Sequence, residues 1–320
     1  MMKKILFSLI AVLAFAIIVR SENNVPAIEP DETYLFAQKD TCDLYMDIYN
    51  PQKGSETTFN GEKKPSILFM FGGGFTGGTR DGKQYKTWFR TLTENGYKVI
   101  SIDYRLGLKG YEDKVGIKGI KYISRAIDMA VEDLFSATEF MISNSGSLGI
   151  DPYNIVLTGS SAGAISVLQA DYELCNRREI AKEIPADFHY AGVISFAGAI
   201  LSHDGKVKYH ETPSPTLMLH GTADKVVNYG QIKVFRLGFF GSDKLAERFS
   251  KFAYNYNILR FKDHGHDISS AMSSTFDYQK SFIEQNVMLK RKKVIDSLID
   301  DPSIPVRDGS RNRKELYGKN

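Results

Sequence analysis

The sequence predicts an α/β fold, in which a mostly parallel sheet is covered by helices on both faces. Short apolar runs rich in β-branched and aromatic residues recur along the chain, and from Ser66 onward most of them lack strict polar alternation. Such runs are typical of strands that are buried on both faces. Segments of helical periodicity separate them, and strands alternating with helices favour a parallel sheet. The predicted strands span 44–49, 66–71, 97–103, 155–159, 191–196, 216–220 and 257–261.

The predicted helices lie between these strands. Apolar residues recur at a helical period over 123–143, which predicts a long amphipathic helix. Residues 44–49 alternate apolar and polar side chains instead, which predicts an edge strand. The other predicted helices span 84–95, 162–175, 244–253 and 274–288.

The N-terminus has the pattern of a secretory signal. Lys3 and Lys4 precede an apolar run over 5–19, and a polar stretch begins at Arg20. The run is shorter than the about 20 apolar residues of a spanning helix. We therefore predict a signal peptide or N-terminal anchor over 1–21, with the rest exported to the periplasm, the cell envelope or the medium. The remainder divides into a domain over 22–289 and a charged tail of weak structure over 290–320.

Composition excludes several classes of function. Of the 320 residues, 42% are hydrophobic and 25% charged, as in ordinary globular proteins. Without the three basic residues of the N-terminal segment, basic and acidic residues balance, which gives no electrostatic reason to expect a nucleic acid partner. Cys42 and Cys175 form no C-x-x-C pair, so neither a structural zinc site nor a redox dithiol is predicted. A single disulfide between them stays open, because sequence does not give their distance.

The strongest motif is G-x-S-x-G over 159–163, with Ser161 at its centre. It follows a predicted strand and opens a predicted helix. A serine on such a sharp turn exposes its hydroxyl, and the helix N-terminus behind it favours developing negative charge. We predict Ser161 as the nucleophile of a hydrolase.

A glycine-rich turn follows an earlier strand, at Phe71-Gly72-Gly73-Gly74-Phe75. Glycines let main-chain N–H groups approach a ligand oxygen, as an oxyanion hole requires. The alternative is a phosphate loop, which needs G-K followed by Ser or Thr, but the chain continues Thr-Gly-Gly-Thr.

A serine nucleophile needs a base, and the base needs a carboxylate. Asp224 follows the predicted strand 216–220, and His266 follows the strand 257–261. The order serine, acid, histidine is that of the α/β-hydrolases. His264 is an alternative base, whereas His220 is expected to brace the acid loop. The histidines and aspartates over 263–267 lack the H-E-x-x-H spacing, so no metal is predicted.

These motifs resemble the carboxylesterase and lipase branch of the α/β-hydrolases over about 42–288. The glycine turn resembles the family's H-G-G-G-F motif, with Phe71 in place of the histidine; residues 103–106 match its D-Y-R-L turn, and 130–133 its A-x-x-D helix. The resemblance implies the α/β-hydrolase fold with a minimal cap and no cofactor. It implies Ser161, Asp224 and His266 as the triad, and the N–H groups of Gly73, Gly74 and Ala162 as oxyanion donors.

The expected activity is hydrolysis of carboxylic esters on a small molecule or a carbohydrate. Two alternatives remain: a prolyl-oligopeptidase-like peptidase, and a hydrolase fold that only binds ligands. Segments 106–121 and 200–214 are the expected pocket walls, around an open site that suits short acyl groups. Phe75, Tyr85 and Trp88 either line that pocket or pack in the core.

Overall fold

The computed structural model describes residues 28–39, 42–111 and 119–304. The predicted signal and residues 112–118 of segment 106–121 lie outside these ranges, so the signal remains a prediction. The strands are β1 Glu32–Lys39, β2 Cys42–Tyr49, β3 Thr58–Phe59, β4 Glu62–Lys63, β5 Ser66–Met70, β6 Val99–Ile102, β7 Ile155–Ser160, β8 Gly192–Phe196, β9 Ala199–Ser202, β10 Thr216–Gly221, β11 Gln231–Val234, β12 Leu237–Gly241, β13 Tyr256–Phe261 and β14 Ile295–Ile299.

A nine-stranded sheet forms the centre, in the order β1-β2-β6-β5-β7-β8-β10-β13-β14. The seven strands from β6 to β14 in this order pair in parallel, whereas β2 pairs antiparallel with both β1 and β6. Strands β5, β7, β8 and β10 are buried throughout. Their lack of alternation predicted this burial correctly.

Helices separate most of the consecutive parallel strands, whereas β9 lies between β8 and β10 along the chain. Helix α4 is buried along almost its whole length, because it packs against both the sheet and α2. None of the helices in the described ranges is long and apolar enough to span a bilayer. The helices are α1 Lys83–Glu94, α2 Ile120–Ser143, α3 Ser145–Leu148, α4 Ala162–Cys175, α5 Ser242–Lys251 and α6 Phe276–Phe282, with 3₁₀ turns at Glu179–Ala181 and His266–Ser270 and a π-helical turn at Ile283–Met288.

The sheet extends beyond the prediction at both edges. The strand predicted at 44–49 is not the edge, because β1 pairs outside it. At the other edge, β14 pairs in parallel with β13, although we predicted weak structure for this part of the tail. In β14, half-buried and exposed residues alternate, as on an edge strand with one covered face. Charged residues surround this short strand, so its alternation was not recognised in the sequence.

A small second sheet has the order β11-β12-β9. Strands β11 and β12 form an antiparallel hairpin, hereafter the flap (residues 231–241), and β12 pairs with β9 on its other side. The sequence analysis did not predict the flap. It is the small cap of this fold.

Two of the sequence motifs meet in a buried ion pair. Asp133 on α2 accepts hydrogen bonds from the Arg105 backbone N–H at 2.7 Å and from its Nε at 2.9 Å. Burial raises the pKa of Asp133, and the hydrogen bonds and charge of Arg105 oppose that rise. The D-Y-R-L turn and the A-x-x-D helix therefore form one structural unit that fixes the loop after β6 against α2.

Neither cysteine forms a disulfide. Cys42 is half-buried at the start of β2, and Cys175 is buried at the end of α4.

Replacing Asp133 with Ala is expected to destabilise the fold by about 3–5 kcal/mol, because it leaves the Arg105 charge without its buried partner. Glu132 also contacts Arg105, at 2.6 Å, but its side chain is 48% exposed. Glu132→Ala should therefore cost less than about 1 kcal/mol. Urea unfolding of both variants measures the difference, and equal losses would contradict a structural role for the buried pair.

Candidate active site

Ser161 occupies the sharp turn between β7 and α4. Its φ of 50° and ψ of −113° lie in a region that non-glycine residues rarely adopt. Two hydrogen bonds hold this backbone: the Ser161 N–H donates to the Phe196 carbonyl at 2.9 Å, and the Ile165 N–H donates to the Ser161 carbonyl at 2.9 Å. Strain of this kind persists only where the surroundings enforce it, and it is common at functional sites.

The glycines of G-x-S-x-G permit the close packing behind this turn. A Cβ on Gly163 would lie 2.1 Å from the Met70 carbonyl oxygen, and one on Gly159 would lie 2.3 Å from the Gly163 oxygen. Neither position has room for a side chain. The start of α4 can therefore approach β5 and β7 closely enough to hold Ser161 at the turn.

The structure brings Ser161, His266 and Asp224 together. The Ser161 Oγ lies 2.6 Å from His266 Nε2, and His266 Nδ1 lies 2.7 Å from Asp224 Oδ2. The three residues follow the carboxyl ends of β7, β13 and β10. Proteins with parallel sheets bind their ligands outside these ends of the strands. All three are buried.

His264 takes a different partner. Its Nδ1 lies 2.7 Å from Asp267 Oδ2. Because Asp267 Oδ1 also accepts the Gly265 N–H at 2.9 Å, this pair fixes the loop that carries His266. The structure therefore places His266, and not His264, beside Ser161.

Asp224 is held in its ionised form. Its Oδ1 accepts the N–H groups of Val226 and Val227, and its Oδ2 lies 3.2 Å from His220 Nε2. Burial alone would raise the pKa of Asp224, but hydrogen bonds and charge from His220 and His266 outweigh it and lower the pKa to about 2. Asp224 therefore stays a carboxylate at any pH at which His266 can act as a base.

His220 braces the acid loop, as predicted. Besides Asp224, its Nε2 lies 3.0 Å from the Val227 carbonyl, and its Nδ1 lies 2.8 Å from Ser242 Oγ. The imidazole thereby connects the end of β10, the acid loop and α5.

The glycine-rich turn lies beside Ser161. Gly73 and Gly74 have φ values of 142° and 64°, where a side chain would be strained. The Gly73 carbonyl accepts the N–H groups of Thr76 and Gly77, which closes the turn. Gly74 and Ala162 line the same pocket as Ser161, whereas Gly73 is not among the described residues of that wall.

Phe71 replaces the family's histidine by aromatic packing. Its ring stacks on Tyr104 with centroids 4.4 Å apart, and the Tyr104 hydroxyl donates to the Phe71 carbonyl at 2.9 Å. Tyr104 belongs to the D-Y-R-L turn. The loop is thus braced without an imidazole.

An apolar pocket of about 500 Å³ opens onto Ser161. Segment 106–121 contributes Leu108 and Ile120 to its wall, but segment 200–214 contributes only Leu201. The flap supplies a wall that the sequence analysis missed. Its alternating pattern over 232–239 was the available signal. The lining residues are Gly74, Phe75, Leu108, Ile120, Ile123, Ser161, Ala162, Ile165, Leu201, Lys225, Val226, Val227, Ile232, Val234, Leu237 and Phe239.

Only one of the three aromatic candidates lines this pocket. Phe75 is in its wall, but Tyr85 and Trp88 pack against Phe69 in the core. Tyr85 also accepts the Gly72 N–H at 2.9 Å, so it positions the glycine turn from behind.

Within the described ranges, no group of three or more His, Cys, Asp or Glu side chains is placed to hold a metal ion. The polar groups beside Ser161 are an imidazole, a carboxylate and main-chain amides. This set suits acyl transfer by proton transfer and hydrogen bonding.

Comparison with known proteins identifies the architecture. The native structure of esterase Est2 from Thermogutta terrifontis superposes with a TM-score of 0.57 at 21% identity, over 79% of this chain and 91% of that one. This is the α/β-hydrolase fold. A family model, BD-FAE, matches residues 46–200, which include the glycine turn and Ser161 but neither Asp224 nor His266.

Curated relatives match this chain over about half of its length or less. Gut esterase 1 of Caenorhabditis elegans is 29% identical over 143 residues, 44% of this chain and 23% of the relative. Neuroligin-like protein glit-1 of the same organism is 28% identical over 170 residues, 51% and 21% of the two chains. The match spans less than a quarter of either relative. These matches agree with the resemblance to the carboxylesterase branch, but they cover too little of either relative to carry its activity over to this chain.

Replacing His266 with Ala is expected to lower kcat for ester hydrolysis by about 10⁴-fold or more, because Ser161 loses its base. His264→Gln is the matched control, and loss of its one hydrogen bond to Asp267 should keep kcat/KM within about tenfold. Steady-state kinetics on a p-nitrophenyl ester compares the two variants. A larger loss in the His264 variant would reverse the assignment.

Proposed function

We propose that this protein is a serine hydrolase that cleaves carboxylic esters through an acyl-enzyme. One observation carries the proposal: an unbroken hydrogen-bonded series from the Ser161 hydroxyl through His266 to the ionised Asp224. A protein that only bound ligands would have no need for this series, for the strained turn at Ser161 or for the apolar pocket that opens onto it.

In the first half-reaction, His266 Nε2 takes the hydroxyl proton of Ser161 while the Ser161 Oγ attacks the ester carbonyl. Asp224 holds the imidazole in the required tautomer and stabilises its positive charge. The oxyanion is bound by the N–H groups of Gly74 and Ala162, with Gly73 as the third predicted donor. Loss of one such donor typically costs about 2.7–4 kcal/mol of barrier.

The first half-reaction ends when His266 gives that proton to the leaving alcohol, which departs and leaves the acyl group on Ser161. In the second half-reaction, a water molecule attacks this acyl group while His266 takes its proton, and His266 then returns the proton to the Ser161 oxygen. Hydrolysis regenerates the free serine and releases the carboxylic acid.

The pocket indicates which part of the substrate lies inside. Its lining is apolar apart from Ser161 and Lys225, so an alkyl or aryl group fits and a sugar would leave its hydroxyl groups without partners. A carbohydrate-linked ester would place its sugar outside the pocket. Short acyl groups in an open site, the expectation from the sequence, remain the alternative.

Export remains part of the proposal, supported by the cationic start and apolar run of residues 3–19. Intact-mass analysis of the recovered protein would show loss of this segment, or its retention as an anchor.

Ser161→Ala is expected to abolish hydrolysis of p-nitrophenyl esters and labelling by a fluorophosphonate, because both reactions need the hydroxyl nucleophile. Ser160→Ala is the matched control: the Ser160 hydroxyl donates to the Ser269 carbonyl at 2.7 Å and not to the His266 imidazole, so turnover and labelling should persist. Aminoacyl p-nitroanilides are tested alongside. Faster turnover of the anilides would favour the peptidase alternative, and no turnover with either class would favour the binding protein.

Lengthening the acyl chain is expected to raise kcat/KM by up to about fourfold per methylene until the pocket is full, since each buried methylene contributes about 0.8 kcal/mol. Ile165 lies in the pocket wall one turn after Ser161. Ile165→Trp should remove the gain for long chains while acetate esters are still cleaved. A flat or falling series in the unaltered protein would mean that the acyl chain does not enter this pocket.

A further inference from the structure

The tip of the flap exposes a phenylalanine to water. Val234 pairs with Leu237, so Phe235 and Arg236 form the two-residue turn between β11 and β12. Phe235 is 93% exposed, and its φ is 55°. Glycine, asparagine or aspartate usually occupies such a turn position. The aromatic ring therefore suits neither the backbone nor the solvent, and packing within the fold does not explain it.

A second exposed apolar side chain lies on the same hairpin. Ile232 lies in β11, the edge strand of the small sheet, and is 55% exposed although it lines the pocket. Ile232 pairs with Phe239, another lining residue, so the apolar inner face of the flap continues from the pocket to its rim. The exposed tip and the pocket mouth belong to one apolar surface.

Cations flank the tip. Lys233 and Arg236 lie on either side of Phe235 in the sequence, and both lie beside Gly205, which is followed by Lys206. Asp204 is the acidic residue beside them, and it lies 3.9 Å from Arg236. Positive charge therefore predominates around the exposed ring.

We propose that the flap tip docks on an anionic lipid surface, with Phe235 inserted among the acyl chains and Lys233 and Arg236 against the headgroups. An apolar side chain with flanking cations is the composition that favours a membrane interface. The flap also forms the pocket wall, so docking would place the pocket mouth against the surface that holds an apolar ester. Docking on the lipid surface does not depend on ester turnover, and the binding measurements below need no substrate.

The test introduces a tryptophan at the tip. The chain has one tryptophan, Trp88, which is buried in the core. Phe235→Trp adds an exposed one. With vesicles of phosphatidylcholine and phosphatidylglycerol, we expect its emission to shift to the blue and to be quenched by lipids with brominated acyl chains. Because the signal comes from residue 235, an N-terminal anchor does not imitate it.

Tyr153→Trp is the matched control. Tyr153 is 50% exposed in the turn before β7, at the opposite end of that strand from Ser161. We expect no shift or quenching from it. Equal responses at the two positions, or none at position 235 in a protein that cosediments with the vesicles, would overturn the proposal.

Two further variants test the ring and the charges by cosedimentation. Phe235→Gly, which suits the backbone conformation, should lower the partition coefficient by about tenfold or more. The double change Lys233→Glu and Arg236→Glu should lower it by at least about fivefold per cation removed on anionic vesicles. Equal binding of the unaltered protein to phosphatidylcholine alone would contradict the charge requirement. Binding of the glycine variant at the original affinity would refute insertion of the ring.

Discussion

The strained turn at Ser161 is the constraint on which the rest of the site depends. Its backbone persists because the start of α4 packs directly on β5, where the Gly163 position has no room for a Cβ next to the Met70 carbonyl. The Phe196 carbonyl on β8 accepts the Ser161 N–H and fixes the turn from the other side. The free energy of packing a long buried helix thus holds one hydroxyl in a conformation that the isolated chain would avoid.

The residues around the turn act through their supports. Asp224 orients His266, and His220 holds the loop of Asp224 against α5. On the other side of the pocket, Tyr85 and Tyr104 hold the glycine turn through one hydrogen bond each, and Arg105 ties the Tyr104 loop to Asp133. The substitution of Phe71 for a histidine changes the support from a polar group to a ring stack without removing it.

Much of the architecture could be predicted because its signals are local. A fully buried strand such as β7 needs an unbroken apolar run, and a serine turn between strand and helix needs glycines two positions away on each side. The order of Ser161, Asp224 and His266 could be predicted because each follows a strand of the sheet. Strand β14 was missed because it is short and only partly covered, and charged residues surround it. The flap was missed because its two strands are short and its alternation is interrupted at Phe235 and Arg236. Whether Tyr85 and Trp88 face a pocket or the core depends on how α1 packs on Phe69, and sequence spacing does not contain that information.

The long separation between Ser161 and His266 has a consequence for synthesis of the chain. Their contact spans 105 positions, and His266 reaches the serine only after β10 and β13 have joined the sheet in parallel. Such non-local pairings form slowly, because closing the long loop costs entropy before any stabilising contact is made. A nascent polypeptide that ends before β13 can already contain the serine turn but has no imidazole to deprotonate it. On the proposed mechanism, a product that terminates before β13 lacks His266 and could not cleave esters, so reactivity would arise only late in translation.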